Sequence, residues 1–479
     1  CKDLNTDKAD SVDITVTVPE NLIVASNGIL VDETVPSPGK KTFHWQERYP
    51  IATYLVSVTA HPYLVFHDEY HSAQGDTMPL DYYIVPDQFA EAQSWTVVPD
   101  MLTAFAAAFG EYPFVEEKYG HVHFPWGGGM EHQTMTSLGH GIYGDWIVAH
   151  ELGHQWFGDL VTCADFRHIW LNEGFATWSE AYWREVNEGV AGYRENMMDN
   201  RYLGNGTIFV ENPTDAGTIF NYDLTYRKAS WVPHMLRHVL GDEDFFAAVR
   251  LYLDTYGHGS ATTEQFQAVM EGVAGRDLTA FFQQWIYGSF YPVYYYSWDV
   301  WPSGGGYRVM LRVEQTQTQT GLFTMPLDVA VEFADGTEVF VIENSQQLEY
   351  YHFQVDDPVV DVVLDPDHWV LRDAWVVNPA STDGGLPSAA RLTGNVPNPF
   401  NPRTSIRFFL PAGLAVRLDV FDVSGRLIRT LVDESRPAGD NAVVWDGADR
   451  AGRPVGAGTY FVRLTGPDID QVRPMTLVR

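Results

Sequence analysis

The sequence predicts a multidomain α+β protein in which regions of short β-strands lie on either side of a mainly helical region. Three observations support this prediction. A chain of 479 residues is too long for one hydrophobic core and should divide into three or four domains. Apolar and polar residues alternate in short runs near both ends, whereas the middle has helical periodicity. A segment rich in small residues, proline and glycine separates the last strands from the rest.

We expect five consecutive segments. Residues 1–66 should form an antiparallel β-domain, because runs such as VDITVTV and ATYLVSVTA alternate and are separated by turn residues. Residues 67–290 should form the mainly helical domain, and residues 291–377 a β-sandwich domain. Residues 378–391 are the linker. Residues 392–479 have the short strands and turn signals of a second, small β-sandwich.

The helical domain should contain at least five helices, because apolar residues recur there with a period near 3.6. These helices are expected at Phe89–Phe109, Trp146–Phe157, Gly174–Arg184, Ala229–Val239 and Asp242–Tyr256. The second of them begins and ends on large aromatic residues, so we expect it to be buried.

The chain is strongly acidic, with a formal net charge of −33 at pH 7. Nucleic acid and anionic membranes would repel it, so neither is expected as a partner. The longest apolar runs, such as Met101–Phe109, are too short to span a bilayer. Two cysteines, Cys1 and Cys163, are too few for a disulfide framework. Because the chain opens on CKDLNTDKAD, we expect its start to be a truncation, so the lack of a visible signal peptide gives no information about the compartment. The alternative is a lipoprotein that is acylated at Cys1.

The segment WIVAHELGHQWFG carries a metal-binding pattern. His150 and His154 are four residues apart, so both imidazoles lie on one face of a helix and can bind one metal ion. Glu173 follows after eighteen residues, a gap that lets a second helix return beside the first. Two histidines, one carboxylate and an open fourth position predict one catalytic zinc per chain, with Glu151 facing the zinc-activated water as general base. The alternative is a solvated helix face, which the flanking aromatic residues disfavour.

HELGHQWFGD, the eighteen-residue gap and NEGFA resemble the aminopeptidase N family of gluzincin metallopeptidases. The resemblance covers residues 1 to about 376. It implies a thermolysin-like fold for the helical domain, and it implies that residues 1–66 are the C-terminal part of a longer N-terminal β-domain. It also implies a zinc metallopeptidase that hydrolyses N-terminal residues from peptides.

WGGGMEH is similar to the exopeptidase motif of this family, Gly-x-Met-Glu-Asn. The resemblance implies that Glu131 grips the free α-amino group of the substrate. Gly128 and Gly129 would present backbone to the substrate, and Met130 would border the pocket for its first side chain. His132 stands where the family has asparagine. An imidazole offers one donor and one acceptor and titrates near neutral pH, so it changes how the amine is recognised.

TYRKAS resembles the family's Tyr-x-Lys-Gly-Ala segment, which implies that Tyr226 supplies a phenol to the oxyanion. Tyr222 is the fallback candidate. Glu180 lies seven residues after Glu173 on the same helix face, so we expect it to orient a zinc-ligating histidine or to lie on the surface. Other nearby histidines are expected to line the pocket or the core rather than to bind a second metal: His121, His123, His140 and His168.

The stretch that contains NVPNPFNPRTSIRFFLP and VRLDVFDVSGRLIRTL is similar to immunoglobulin-like tails of two related kinds. These are the flagellar hook-capping domains and the sorting tails of type IX secretion. The resemblance implies a bacterial protein that is secreted or held at the cell surface, with export machinery or a surface attachment as partner of this domain.

Three functions are therefore open from the sequence. The first is an extracellular zinc aminopeptidase acting on peptides with a free N-terminus. The second is a more open zinc peptidase with endo- or oligopeptidase activity. The third is a non-catalytic surface binding module that keeps a metal site for structure. Free-amine and N-acetylated aminoacyl amides separate them, because the first function requires the free amine, the second cleaves both and the third cleaves neither.

Overall fold

The computed structural model describes residues 4–378, 390–396, 398–410, 413–437, 439–467 and 469–478. Cys1 and most of the predicted linker at 378–391 lie outside these residues. The chain divides into two compact units. The first comprises Cys1–Tyr295, Val313–Glu349 and Val362–Trp375, and the second comprises Tyr296–Arg312, Tyr350–Asp361 and Val376–Arg479. The candidate site lies in the first unit.

The N-terminal part is antiparallel β-structure, as predicted. Its strands are β1 (Val12–Pro19), β2 (Ile23–Ser26), β3 (Ile29–Ser37), β4 (Lys40–Glu47) and β5 (Val58–His61). Strands β1, β4 and β3 form one sheet in that order, and β2 pairs with β5. Alternation along β4 buries Phe43 and Trp45.

A five-stranded sheet follows, and the sequence analysis did not predict it, because almost all of it lies in the region 67–290 that was expected to be mainly helical. The strands are β6 (Leu64–His71), β7 (Thr77–Ile84), β8 (Tyr119–Phe124), β9 (Gly129–Met130) and β10 (Thr136–Gly139), in the order β6-β7-β8-β10-β9. Every residue of β8 is buried, including the polar His121 and His123 that alternate with Val122 and Phe124. The sheet places Gly129 and Met130 on its edge strand.

Helices make up most of the region from 98 to 285, as predicted. They are α1 (Val98–Phe109), α2 (Asp145–Gly153), α3 (Trp170–Glu188), α4 (Val190–Asp199), α5 (Ala216–Ile219), α6 (Ala229–Leu240), α7 (Asp242–Tyr256), α8 (Thr263–Ala274) and α9 (Thr279–Trp285). The 3₁₀ segments are Thr53–Leu55, Pro86–Gln88, Glu91–Val97 and Phe166–His168. Residues Tyr222–Lys228 form a π-helical turn. A small sheet pairs β11 (Thr162–Cys163) with β12 (Ser260–Ala261). Among the described residues, none of the helices is both long and apolar enough to cross a membrane.

Some predicted helix limits are wrong. The predicted Phe89–Phe109 helix is two 3₁₀ turns followed by α1, and the predicted Trp146–Phe157 helix ends at Gly153, where the chain turns. The predicted Gly174–Arg184 helix is only the middle of α3, because α3 is buried along most of its length and tertiary packing extends it. Helix α7 has the predicted limits.

Close packing of α2 against α3 fixes the separation of the two helices. A Cβ atom added at Gly153 would lie 2.8 Å from Ser179 Oγ, so glycine permits this approach. Just beyond α2, the Phe157 ring stacks on that of Phe175 in α3, with centroids 4.3 Å apart. The metal-binding pattern on α2 is thereby held against the face of α3 that carries Glu173.

The remaining strands form two pairs of sheets, as the two predicted sandwiches require. The first set is β13 (Val293–Ser303), β14 (Gly306–Gln315), β15 (Met325–Phe333), β16 (Gly336–Asn344), β17 (Leu348–Val355), β18 (Val359–Leu364) and β19 (Asp373–Asn378), ordered β17-β14-β13-β19 and β16-β15-β18. The second set is β20 (Arg391–Val396), β21 (Thr404–Leu410), β22 (Leu414–Asp422), β23 (Leu427–Arg436), β24 (Gly439–Trp445), β25 (Gly458–Gly466) and β26 (Ile469–Leu477), ordered β20-β21-β24 and β23-β22-β25-β26. This last set encloses its own hydrophobic core around Trp445.

Candidate metal centre

Three buried side chains converge between α2 and α3. His150 Nε2 and His154 Nε2 are 3.2 Å apart, and Glu173 Oε2 lies 3.4 Å from the first and 3.2 Å from the second. Ligand atoms about 2.0–2.1 Å from a tetrahedral zinc lie roughly 3.3–3.4 Å from one another. The spacing of the three donors therefore fits a zinc ion. Within the described residues, this is the one group of three histidine, cysteine or carboxylate side chains close enough to hold a metal ion.

The other ring nitrogens of both histidines face hydrogen-bond acceptors. His150 Nδ1 donates to Glu180 Oε1 at 2.8 Å, and His154 Nδ1 donates to the carbonyl oxygen of Phe157 at 3.0 Å. With the proton on Nδ1, each Nε2 presents a lone pair to the other. Two facing lone pairs beside a carboxylate repel one another unless a cation lies between them, so the donor set also fits a metal chemically. A contact with a histidine was one of the two alternatives that the sequence left open for Glu180, whereas the contact of the Phe157 carbonyl was not anticipated.

Glu151 lies beside this triad and is buried. Burial is the main cause that raises the pKa of its carboxyl to about 8, and a metal dication nearby would oppose that shift. Its Oε2 atom has no hydrogen-bond partner among the described residues. A Cβ atom at Gly129 would lie 2.1 Å from Glu151 Oε1, so the glycine leaves the space that the carboxylate occupies. Glu151 thus faces the edge strand that carries the predicted substrate-binding segment.

The structure distinguishes the two tyrosine candidates. The Tyr226 ring stacks against the His150 ring, with centroids 6.1 Å apart and an interplanar angle of 22°. Burial, followed by the charge of Glu173, raises the pKa of Tyr226 well above its usual value, so the phenol keeps its proton as a donor. Tyr222 also lines the cleft, but it is 68% exposed and does not stack on a histidine. Both lie in the π-helical turn, a feature frequent at functional sites.

All of these groups open on one cleft of about 740 Å³. Of the predicted substrate-binding residues, Gly129, Met130 and Glu131 line it. Burial raises the pKa of the Glu131 carboxyl. Gly128 is not among the lining residues; it has φ +89°, and its carbonyl oxygen accepts a hydrogen bond from the Gly139 amide. His132 is outside the lining: its Nδ1 is 2.9 Å from Ser137 Oγ, and burial lowers its pKa to about 4.

The cleft also has apolar walls that sequence reasoning missed. Tyr54, Phe166 and Phe220 contribute rings, with centroids 6.4 Å apart for the first two and 6.2 Å for the last two. The other lining residues outside the predicted set are Trp146, Ile147, Ile169, Thr177 and Asn200. Trp146, Ile147 and Thr177 lie in predicted helices, whereas Ile169 and Asn200 come from segments without a local signal. None of the lining residues is lysine or arginine, so the cleft is acidic.

The remaining histidines take no part in the cleft. His121 and His123 are buried among aromatic rings, including that of Trp95. His168 is 2.9 Å from Thr263 Oγ1, and His140 is exposed. His121, His123 and His168 are core residues, one of the two predicted alternatives, whereas His140 is on the surface, which neither alternative predicted.

Comparison with known proteins identifies two segments of the chain. Residues 144–285, which contain all three metal ligands, match the model of the peptidase family M1 domain, whose aminopeptidases are zinc enzymes. Residues 402–468 match the FlgD Ig-like domain. The predicted resemblance to an M1 aminopeptidase with an immunoglobulin-like C-terminal domain is confirmed.

Several aminopeptidases are similar to this chain. Aminopeptidase N of Lactococcus lactis subsp. cremoris (strain MG1363) is 36% identical over 158 residues, which are 31% of this chain and 19% of that protein. Aminopeptidase M1-B of Oryza sativa subsp. japonica is 27% identical over 320 residues, 60% of this chain and 35% of that protein. The chain thus spans a fifth to about a third of the length of these curated relatives. The crystal structure of Legionella pneumophila aminopeptidase A in complex with aspartic acid superposes with a TM-score of 0.68 at 17% identity, over 78% of this chain and 45% of that one, which shows a shared fold.

Proposed function

We propose that this chain, which carries a peptidase family M1 domain, is a zinc-dependent aminopeptidase that removes N-terminal residues from peptides. One observation carries the proposal: the His–His–Glu triad, Glu151 and Glu131 all line the same cleft. A metal triad alone serves many hydrolases. Glu131, a further buried carboxylate in the same cleft, supplies an acceptor for a free ammonium. A free ammonium is the group that distinguishes the N-terminal residue of a peptide from an internal residue.

His150, His154 and Glu173 would hold one zinc ion per chain, with Glu180 and the Phe157 carbonyl fixing the two imidazoles. Bound there, zinc would supply Lewis acidity toward the scissile carbonyl and toward a water molecule. Glu151 would take a proton from that water and pass it to the leaving amine. Its buried position excludes bulk solvent from this transfer.

Glu131 would pair with the ammonium of the substrate and so place the first peptide bond at the reacting centre. Tyr226 would donate a hydrogen bond to the oxygen on which negative charge develops, since its ring stacks on His150 and its phenol stays protonated. Gly128 and Gly129 would leave backbone exposed to the substrate, and Met130 would contact its first side chain.

The proposal is tested with pairs of aminoacyl amides that differ only in N-acetylation. The zinc-loaded chain should cleave leucine amides with a free amine and leave the acetylated partners intact. A chelator should abolish the activity and added zinc should restore it. Equal cleavage of both partners would favour an open endo- or oligopeptidase. Cleavage of neither by a folded, zinc-loaded protein would favour a non-catalytic binding module.

We also propose that the protein is bacterial and exported, either secreted or held at the cell surface. The similarity of residues 402–468 to the FlgD Ig-like domain and the net charge of −33 support this location. Fractionation of the source cells, with detection in medium, surface and cytoplasm, tests it. Detection in the cytoplasm alone would contradict the proposal.

A further inference from the structure

Gln155, the residue after His154, joins the metal-binding segment to the strand region that carries Glu131. Its side chain is fully buried. Its Nε2 donates to the carbonyl oxygen of Glu131 at 3.2 Å, and its Oε1 accepts from the amide of Thr134 at 3.0 Å. The same Oε1 accepts from the hydroxyl of Tyr112 at 3.1 Å. One amide group thus contacts the backbone at both ends of the segment 131–134.

The turn between β2 and β3 and the Lys118 side chain also donate hydrogen bonds to this segment. The Gly28 amide donates to Thr134 Oγ1 at 2.7 Å, and Asn27 Nδ2 donates to the carbonyl oxygen of Gln133 at 2.6 Å. The buried Lys118 ammonium donates to the carbonyl oxygen of Thr134 at 3.3 Å. Thr134 has φ +63°, a conformation that a β-branched residue keeps only when its surroundings impose it. Hydrogen bonds from Gln155 and from the turn between β2 and β3 therefore hold the segment 131–134 in place.

We infer that Gln155 is a positioning residue that sets the place of the Glu131 carboxylate relative to the metal ligands. Gln155 directly follows the metal-ligand candidate His154 in the chain. A displacement of the Glu131 backbone relative to His154 would therefore disrupt the hydrogen bonds that Gln155 makes to the Glu131 carbonyl and the Thr134 amide. The inference rests on the proposed function, in which Glu131 pairs with the substrate ammonium. A displacement of about 1 Å at such a group costs on the order of a hundredfold in rate.

The test uses the full chain loaded with zinc and the variant Gln155→Met, which keeps the volume and removes all three hydrogen bonds. The matched control is Tyr112→Phe, which removes one bond of Gln155 and leaves both bonds to the segment. Calorimetry would measure binding of leucine hydroxamate and of its N-acetyl derivative. Both bind metal through the same group, and only the first carries an ammonium. Hydrogen exchange of the Thr134 amide would be followed in parallel.

The affinity advantage of the free amine is the ratio of the affinity for leucine hydroxamate to that for its N-acetyl derivative. In Gln155→Met we expect this ratio to fall at least roughly tenfold, while the affinity for the N-acetyl derivative and the zinc content stay unchanged. The Thr134 amide should exchange faster. Tyr112→Phe should keep the wild-type advantage even where its melting temperature falls. An advantage within about twofold of wild type in Gln155→Met would overturn the inference.

Two further variants keep the outcome interpretable. Glu131→Gln tests the premise: if it leaves the amine advantage unchanged, the proposed role of Glu131 fails, not the role of Gln155. Should Gln155→Met fail to fold, Gln155→Asn takes its place, because its amide is one methylene shorter and cannot reach both backbone positions. The same expected loss and the same overturning result apply to it.

Discussion

Glu180 Oε1 accepts a hydrogen bond of 2.8 Å from Nδ1 of His150, and both residues are buried. The two side chains come from different helices, α3 and α2, so the bond joins the elements that carry the three donors. It fixes the imidazole so that Nε2 faces Glu173. Loss of such a partner typically weakens metal binding by about 10–100-fold.

Glu180→Gln should therefore weaken zinc binding roughly 10–100-fold while the fold is retained. Competition against a chelator of known affinity measures this change directly. Glu188→Gln is the matched control, because Glu188 is on the same helix but is exposed and pairs with Arg184. Equal zinc affinities in the two variants would show that Glu180 does not support His150.

Glu151→Gln should keep zinc and lose most turnover. The amide has nearly the same shape and cannot take a proton, so kcat should fall by on the order of 10²–10⁴-fold, as for loss of an essential base. Metal analysis should still find one zinc per chain. Near-wild-type kcat would assign the carboxylate another role.

Tyr226→Phe should lower kcat by roughly 10²-fold with little change in KM, because the phenol acts mainly on charge that develops in the transition state. Tyr222→Phe is the control, since this neighbour lines the same cleft but is largely exposed. Steady-state kinetics on one free-amine substrate compare the two. A larger effect in Tyr222→Phe would move the role to that residue.

The first residue of the substrate should be apolar. Tyr54 and Met130 pack on the same hydrophobic cluster, and the Tyr54 ring contacts that of Phe166. Leucine, methionine and phenylalanine amides should be preferred over aspartate and glutamate amides by at least roughly tenfold, because no lysine or arginine lines the cleft to pair with an acidic side chain and buried carboxylates already line it. Phe166→Ala should lower kcat/KM for leucine amide more than for alanine amide. Preference for acidic residues would contradict this prediction.

His132 should contribute to acid sensitivity through stability. Burial lowers its pKa to about 4 in the folded chain, against about 6.5 when unfolded, so the unfolded state binds the extra proton first. Its stabilising contribution is complete above about pH 6.5 and is lost progressively as the pH falls toward 4. The free energy of unfolding of His132→Asn should fall less steeply over this range than that of wild type. The imidazole is neutral above pH 5, so the acidic limbs of the two pH–rate profiles should superimpose there.

The metal ligands could be predicted because one helical period determines their geometry. His150 in α2 and His154 at its C-terminal cap are four residues apart and therefore lie on one face. The eighteen residues before Glu173 are enough for the chain to turn back and form α3 beside α2. Strand β8 was not predicted: it is only six residues long, and the burial of its polar His121 and His123 depends on packing against the distant Trp95 ring. The aromatic wall and Gln155 escaped prediction for another reason. Tyr54 and Phe166 are far apart in the sequence and come into contact only in the folded chain. Two of the three partners of Gln155 are backbone atoms, which carry no signal in a sequence.

Asn27 and Gly28, in the turn between β2 and β3, donate hydrogen bonds to Gln133 and Thr134, so the segment that carries Glu131 depends on the N-terminal part of the chain. A shortened chain that starts at residue 67 would retain every metal ligand and the whole of α2 and α3. It would lose the hydrogen bonds that Asn27 and Gly28 donate to the segment carrying Glu131. Transferring the metal-binding region into another protein therefore requires the chain from residue 23 onward as well, because it contains Asn27 and Gly28 and also Tyr54, which lines the cleft.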